Sequence, residues 1–332
     1  MIRELKQFYV SVFNWLVRWC PPNDFNDVLI IRLDHLGDFV LWLDSAKEYR
    51  KIYHGKRLTL LVNANWYDFA KSLPYWDEVI GLDTMKFRLN PWYRLKMLLW
   101  VRKQGFEIAI CPRHSVKFTL EPPIVAISGA QQKIVCEGSF PIEKQNYFTR
   151  SIPMRPDVHE LIRNADFLRG LGRDNFKSTI PSFQTSHRLP RKICHEIVVC
   201  PCSFRKRKEW PLKKFITLMH RLYGETILVC NNIPIKNLPS HVRDLTGRTE
   251  LMEFIEIISN AKLVIANDSA AIHLAAALDV PSICIGAEVF GRFQPYMFEK
   301  TREGMVVPRL IYKENIKDIT VDEVWEIVKG MI

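Results

Sequence analysis

Apolar and polar positions along most of the chain follow two alternating patterns: short continuous apolar runs, and longer segments with helical spacing. The apolar runs predict strands covered on both faces, as in a parallel sheet. In the first half of the chain these runs are Val28–Leu33, Leu58–Val62, Ile108–Cys111 and Lys133–Cys136. Residues 91–104 and 157–171 have the spacing of helices. This half is therefore predicted to be an alternating α/β unit.

A second alternating series begins after residue 195. Its predicted strands are Glu196–Cys200, Thr226–Cys230, Leu263–Ala266 and Ser282–Ile285. Its predicted helices cover residues 211–223, 250–260 and 320–331. The polar stretch 173–195 contains Pro181 and Pro190, which is typical of a linker. We therefore expect two doubly wound α/β domains facing each other across a cleft, with ligands at the carboxyl ends of the strands.

Residues 1–20 carry a separate helical pattern, in which Trp15, Trp19 and other large apolar residues alternate with basic ones. Two interpretations stay open. The helix packs on the first domain, or it lies in a membrane interface, where tryptophan and basic residues are favoured together. Pro21 and Pro22 end the pattern.

Composition narrows the class of protein. A chain of 332 residues with 48% hydrophobic and 25% charged residues fits a globular protein of about two domains. No apolar run reaches the roughly 18–20 residues of a spanning helix, and no secretory signal is evident. The expected location is cytoplasmic, with peripheral contact at the inner face of the membrane through residues 1–20 as the open alternative.

Cysteine and histidine positions argue against disulfides and metal sites. The eight cysteines form no C-x-x-C pair, and several lie inside apolar runs. We therefore expect buried, reduced thiols in a reducing compartment. The nine histidines show no metal-ligand spacing, so no metal is expected.

The net charge of +11 attracts anions without choosing among nucleotides, nucleic acid and acidic membranes. Four cations lie between residues 204 and 209, after the first strand of the second series. Ser203 and Lys208 are suited to a diphosphate, whereas Arg205, Lys206 and Arg207 are expected to be solvated or to face an acidic lipid or acceptor. A nucleic-acid patch is disfavoured, because the loop lacks interleaved aromatic platforms.

A polar turn near Asp268 joins a buried strand to a helix of small residues. Asn267 and Asp268 are predicted N-cap residues, and a helix N-terminus favours an anion. Small side chains at Ala270 and Ala271 would let a phosphate approach the backbone closely. The alternative is a capped core helix with His273 packed inside.

The turn after the first strand is the third candidate loop. Gly37 permits a tight backbone, and Asp38 lies at a strand's carboxyl end, where a carboxylate could accept a proton from a hydroxyl. The alternative makes Asp38 an acid favoured by the helix dipole. Arg32 and Asp34 have the simpler interpretation of an ion pair.

Four motifs, in this order, resemble glycosyltransferase family 9, the heptosyltransferase family of bacterial lipopolysaccharide synthesis. They are R-L-D-H-L-G-D (32–38), K-E-W-P (208–211), L-T-G-R-T-E-L (245–251) and N-D-S-A-A-I-H-L-A-A-A-L (267–278). The resemblance implies a GT-B fold of two Rossmann-like domains. It divides the chain into an amphipathic helix, an acceptor domain, a nucleotide-sugar domain and a terminal helix, at 1–24, 25–185, 186–312 and 313–332.

The resemblance also implies residue roles. Asp38 matches the general base, Lys208 matches the lysine on the donor diphosphate, and Ser203 lies near its hydroxyl partner. The other implied donor-binding residues are Asp268, Ser269, Ala270, Ala271 and His273. Gly247 and Thr249 mark a loop for the base or ribose. The family usually has glycine where Ala270 stands, which puts the exact sugar and base in question.

The implied activity is inverting transfer of a heptose or related sugar. The donor would be ADP-activated, with no metal or cofactor, and the acceptor a hydroxyl of lipopolysaccharide or another cell-surface glycan. Charge and position suggest Arg113, His114 and Lys117 for the acceptor; the alternative is that they are solvated surface residues. Two alternatives remain: a GT-B transferase with another nucleotide sugar, and a non-catalytic basic module that binds membrane or nucleic acid.

Overall fold

A computed structural model shows two compact units. Unit 1 comprises residues 1–35, 45–156 and 162–177, and unit 2 comprises residues 36–44, 157–161 and 178–332. The structure describes residues 12, 15, 17–23, 27–113, 120–138, 147–155, 157–183, 196–203, 205–222, 226–228, 235–287 and 308–332.

Unit 1 is built on a parallel sheet in the order β3-β2-β1-β4-β5-β6. Its strands are β1 (Asp27–Arg32), β2 (Leu58–Asn63), β3 (Glu78–Leu82), β4 (Phe106–Cys111), β5 (Gln132–Cys136) and β6 (Arg150–Ile152). Ile30 on β1 lies opposite Leu60 on one side and Ile110 on the other, so the central strand is fully enclosed.

The helices of the first half connect these strands. They are α1 (Leu36–Ala46), α2 (Tyr49–Ile52), α3 (Tyr67–Lys71), α4 (Thr84–Leu89), α5 (Pro91–Lys103), α6 (Glu121–Ile127) and α7 (Glu160–Gly170). Helix α5 begins as its sequence dictates, because Pro91 occupies the first turn and Asn90 Oδ1 accepts the N–H of Tyr93 at 3.0 Å.

Unit 2 contains a second parallel sheet, in the order β12-β11-β10-β7-β8-β9. Its strands are β7 (Ile197–Cys200), β8 (Thr226–Leu228), β9 (Val242–Asp244), β10 (Leu263–Asn267), β11 (Ser282–Ala287) and β12 (Arg309–Lys313). Both sheets therefore have the strand order of the Rossmann fold, which reverses beside the first strand of each. Ligands bind such sheets at the carboxyl ends of the strands, at that reversal point.

The later helices are α8 (Leu212–Arg221), α9 (Leu251–Asn260), α10 (Ala270–Ala277) and α11 (Val321–Lys329). Trp210 anchors their core. Its ring packs edge-on against Phe215 at 4.9 Å, and its Nε1 donates to the carbonyl of Ile319 at 2.9 Å. A capping box between Thr320 and Glu323 starts α11.

The predicted α/β class with two doubly wound sheets is confirmed, and every predicted strand overlaps an observed one. Helix α7 begins at Glu160, three residues later than the predicted start. The proposed boundaries at 24, 185 and 312 stay predictions.

Most of the N-terminal segment lies outside the described residues. Val17 is buried in the core of unit 1, whereas Trp15 and Trp19 are exposed. Within the part of the chain that the structure describes, no helix has the length and apolarity needed to cross a bilayer.

Candidate functional site

The turn between β10 and α10 differs from the sequence-based expectation. The N-cap residue is Ser269, whose backbone is extended (φ −150°, ψ 176°) and whose side chain makes no capping hydrogen bond. Asn267 is not a cap, because its side chain is used elsewhere. Its Oδ1 accepts the N–H of Trp210 at 2.9 Å, and its Nδ2 donates to the carbonyl of Pro201. Asn267 therefore ties the loop after β7 to the end of β10.

Asp268 is likewise turned toward that loop and does not cap α10. Its Oδ2 lies 2.5 Å from the ammonium of Lys208. The hydroxyl of Ser203 donates to the Asp268 carbonyl at 3.3 Å, and the N–H of Ser203 donates to Glu209 Oε1 at 3.1 Å. The structure thus brings together Ser203, Lys208 and Asp268, which the sequence places on two separate loops.

Exposure distinguishes this ion pair from a core contact. The Lys208 side chain keeps 22% of its surface exposed and that of Asp268 keeps 8%, so the pair is not sealed from solvent on the lysine side. Arg205, Lys206 and Arg207 are exposed, as predicted. The loop therefore offers one oriented cation among several on the surface.

The first turn of α10 lies directly after this ion pair. Ala270 is half-buried and Ala271 is buried. Because the Ser269 side chain makes no capping hydrogen bond, its hydroxyl does not mask the positive end of the helix dipole. Cation, hydroxyl and helix N-terminus together provide the elements of an anion site.

His273 lies one turn further along α10 and is buried. Burial lowers the pKa of its imidazole to about 4; Asp268 opposes this shift, while His159 and Lys208 add to it. The ring is therefore neutral at physiological pH, where it offers one donor and one acceptor but no charge. His273 is therefore packed in the core and also lies beside the candidate anion site.

Gly37 explains the close approach of the loop that carries Asp38. A Cβ at residue 37 would lie 2.9 Å from His273 Cδ2 and 3.7 Å from the Cα of Ala270. Any other residue would force the imidazole to shift. Asp38, the next residue, is half-buried in the first turn of α1. Within unit 2, the start of α1 therefore lies against the first turns of α10.

The remaining predicted residues lie apart from this cluster. Gly247 has a positive φ of 66° and forms the expected turn before α9, with Thr249 half-buried beside it. The turn follows β9, three strands from β10 in the sheet, which corresponds to about 14 Å at ~4.8 Å per strand. This loop stays a predicted base or ribose site.

Arg113 is not a solvated cation. Its Nη1 lies 2.5 Å from Oε1 of the fully buried Glu121, and only 11% of its side chain is exposed. The guanidinium therefore neutralises a buried carboxylate at the start of α6. His114 and Lys117, the other suggested acceptor residues, lie outside the described residues.

Sequence reasoning missed His159. It precedes α7 and belongs to unit 2, and its Nδ1 accepts the N–H of Leu161 at 3.2 Å. Its effect on the pKa of His273 places it in the electrostatic environment of the site. A histidine just before a helix start was the available signal, although such a position is more often a simple cap.

The cysteine prediction is partly wrong. Cys202, next to Ser203, is disulfide-bonded. Free thiols are present at Cys20, Cys111, Cys136, Cys200 and Cys284. The latter four are buried, and burial raises the pKa of Cys200 to about 12. Among the described residues, no group of three or more histidine, cysteine or acidic side chains could hold a metal ion.

Fold and candidate site define a class of protein: a GT-B fold of two Rossmann-like units with a candidate anion site at a helix N-terminus of unit 2. Residues 174–306 match the sequence profile described as Glycosyltransferase family 9 (heptosyltransferase). Over these residues, about two-fifths of the chain, the protein is similar to glycosyltransferase family 9.

Two curated relatives agree with this match. Lipooligosaccharide heptosyltransferase 2 of Haemophilus influenzae is 29% identical, over 36% of this chain and 37% of that protein. Lipopolysaccharide heptosyltransferase 2 of Salmonella typhimurium is 27% identical, over 40% of this chain and 45% of that protein. The matched region thus spans less than half the length of either relative.

Solved structures extend the likeness in fold to nearly the whole chain. A family 9 glycosyl transferase from Veillonella parvula has a TM-score of 0.73 at 14% identity, covering 93% of this chain and 97% of that one. The E. coli heptosyltransferase WaaC with ADP has a TM-score of 0.65 at 15% identity, covering 92% and 97%.

Proposed function

We propose that the protein is an inverting glycosyltransferase, which transfers a heptose or related sugar from an ADP-activated donor to a hydroxyl of lipopolysaccharide or another cell-surface glycan. The observation that supports it most is the ion pair of Lys208 and Asp268, which lies beside Ser203 at the N-terminus of α10. The match of residues 174–306 to the heptosyltransferase family supports the reaction class, and the ADP named with the similar E. coli structure supports the donor.

The donor diphosphate would bind at this helix N-terminus. Negative charge grows on the diphosphate as the glycosidic bond breaks. The Lys208 ammonium, the Ser203 hydroxyl and the backbone N–H groups at residues 269–271 would stabilise that charge in a fixed arrangement. Asp268 orients the ammonium before the donor arrives, and the diphosphate must then share Lys208 with it.

The acceptor would be activated by Asp38. Its carboxylate accepts the proton of the acceptor hydroxyl, and the oxygen attacks the anomeric carbon from the face opposite the diphosphate, which inverts the configuration. The contact of Gly37 with His273 supports this assignment, because it holds the neighbouring Asp38 close to the first turns of α10. No metal takes part in this mechanism.

Charge and the matched family support the proposed acceptor and location. The net charge of +11 favours an acidic, phosphate-bearing acceptor. Both curated relatives are named for lipooligosaccharide or lipopolysaccharide, and transfer onto such a lipid-linked acceptor would occur at the cytoplasmic side of a membrane.

The test separates donor binding from turnover. We expect ADP, and not UDP, GDP or a short oligonucleotide, to raise the melting temperature of the full chain. Asp38→Asn should keep the ADP affinity and lower turnover about 10²–10⁴-fold in a transfer assay read by product mass spectrometry. Lys208→Ala should weaken ADP binding as well.

Lys206→Ala is the matched control, because Lys206 is an exposed cation in the same short turn. It should leave binding and turnover unchanged. Unchanged turnover in Asp38→Asn would remove Asp38 from the base role. A rise in melting temperature with UDP or GDP alone would mean that the donor carries that nucleotide instead of ADP. A rise with the oligonucleotide alone would contradict the proposal that the protein is a glycosyltransferase.

A further inference from the structure

The hairpin of helices α4 and α5 in unit 1 holds large apolar side chains in solvent. Met85 is 60% exposed, Leu89 is 67% exposed and Trp92 is 76% exposed. Met85 and Leu89 are four residues apart on α4, which places them on one face of that helix. Trp92 follows in the first turn of α5. Clustered exposed apolar residues of this kind mark interaction surfaces.

The same hairpin is strongly basic. Residues 84–103 contain six basic residues and no acidic one. They are Lys86, Arg88, Arg94, Lys96, Arg102 and Lys103. Arg94 is buried over the ring of Phe87, and Arg102 is directed inward to main-chain carbonyls of unit 1. The other four cations are exposed.

Pairing with acids leaves most of that charge uncompensated. Lys86 lies 3.3 Å from Asp83, the N-cap residue of α4. Among the residues that the structure describes, Arg88, Lys96 and Lys103 form no ion pair. On the 13-residue helix α5, Trp92, Lys96 and Lys103 lie within about 40° of one another at 100° per residue, along about 17 Å at 1.5 Å per residue.

The hairpin is firmly held from below, so this exposure is a property of the fold. Phe87, Leu98 and Val101 are buried in the core of unit 1. The Tyr93 hydroxyl accepts the N–H of Asp83 at 3.0 Å, and the carboxylate of Asp83 accepts the N–H of Lys86 at 2.8 Å. Packing and capping thus present the apolar side chains on a rigid support.

We propose that the α4–α5 face docks on the surface of an anionic phospholipid bilayer. Tryptophan, leucine and methionine enter the interface between headgroups and acyl chains, and the surrounding cations meet lipid phosphates. A second copy of the chain would bring two faces of the same positive charge together. Single-stranded nucleic acid would need aromatic stacking platforms, and Met85 and Leu89 provide none.

Vesicle sedimentation with the full chain tests the proposal. Binding to vesicles that contain phosphatidylglycerol should exceed binding to pure phosphatidylcholine at least tenfold, and should fall as salt is added. The variant Leu89→Ser/Trp92→Ser should lower the partition coefficient at least tenfold. The variant Lys86→Ser/Arg88→Ser/Lys96→Ser should lower it about fivefold per cation removed.

Controls use exposed residues of unit 2. Lys213→Ser/Lys317→Ser/Lys329→Ser removes the same net charge, and Ile332→Ser removes an exposed apolar side chain; both should bind vesicles as the parent does. Circular dichroism and the ADP melting shift establish that each variant is folded, independently of lipid binding. The proposal is overturned if the unit 2 variants lose as much binding, if only Trp15→Ser/Trp19→Ser loses it, or if the hairpin variants change self-association or oligonucleotide binding and leave vesicle binding intact.

Discussion

The two sheets have the same strand order, but the ion pairs at the carboxyl ends of their strands differ in exposure. In unit 1 two such pairs are buried, and we call them sealed: Arg32 lies 2.5 Å from Asp34, and Arg113 lies 2.5 Å from Glu121, with at most 11% of any of these side chains exposed. In unit 2 the ion pair of Lys208 and Asp268 has the same length but keeps 22% of the lysine exposed.

The difference separates charges that hold a fold from charges that can exchange a partner. A sealed pair cannot release its cation, because an uncompensated buried charge is costly. A partly exposed pair, such as that of Lys208 and Asp268, can release its cation, because solvent or an arriving anion replaces the carboxylate. We call it the open pair. The residue types agree: arginine, with its planar fork, is used in the sealed pairs, and lysine, a compact point charge, is used in the open one.

Breaking the sealed pair of Arg113 and Glu121 should give the largest effect. Arg113→Ala leaves Glu121 buried without this cation, so we expect the free energy of unfolding to fall by about 3–5 kcal/mol. Urea unfolding followed by circular dichroism measures it. Arg113→Met/Glu121→Leu, which removes both charges, should recover much of the loss. A loss below about 1 kcal/mol in the single variant would mean that Arg113 is not a structural cation and would return it to the acceptor hypothesis.

Breaking the open pair should affect function more than stability. Lys208→Ala should lower the free energy of unfolding by about 1 kcal/mol or less, because the pair is partly exposed. The same change should raise the barrier to sugar transfer by about 2.7–4 kcal/mol, as expected when one stabilising donor is lost from an oxyanion site. Parallel urea unfolding and transfer assays measure the two quantities. If Lys208→Ala changed the free energy of unfolding and the transfer barrier by equal amounts, the open pair would be as structural as the sealed pairs of unit 1.

The buried histidine beside the open pair should make unit 2 sensitive to acid. In the folded state the pKa of His273 lies at about 4, below its ordinary 6.5. Between these values the unfolded chain binds the proton more readily, so stability is complete above pH 6.5 and falls as the pH decreases toward 4. That gap in pKa corresponds to about 3 kcal/mol.

His273→Gln should flatten this part of the stability profile. Urea unfolding at a series of pH values from about 7.5 to 4 measures the slope. His220→Gln is the matched control, because His220 is exposed in the last turn of α8 of the same unit. If both variants keep the parent's slope, other groups cause the acid sensitivity.

Sequence patterns predicted the strands that lie inside each sheet and missed the ones at the edges. Runs such as Val28–Leu33 are covered on both faces and read as continuously apolar, whereas β3 and β12 are only partly buried and mix apolar with polar residues. An edge strand has one neighbour, so its sequence is under a weaker constraint and its apolar pattern is incomplete.

The candidate site shows the same limit. Local patterns identified Asp268 and Lys208 on separate loops, but their pairing joins residues 60 positions apart. The local rule also assigned Asn267 to a helix cap, whereas its amide bonds to the main chain 57 and 66 positions away. Short-range propensity identifies polar residues near a turn, but which of their possible partners they contact depends on the packed fold.

The smallest effect concerns the acid of the open pair. Asp268→Asn keeps the size of the side chain and removes the charge that competes with a diphosphate for Lys208. We expect ADP to bind more tightly by about 0.2–1 kcal/mol, the usual strength of a partly exposed ion pair. Turnover should fall at the same time, because Asp268 no longer orients the ammonium. Calorimetric titration with ADP measures the affinity, with Asp279→Asn on the turn after α10 as the control. Weaker ADP binding in Asp268→Asn would mean that the carboxylate helps to hold the donor, and that the open pair acts as one unit instead of two competing partners.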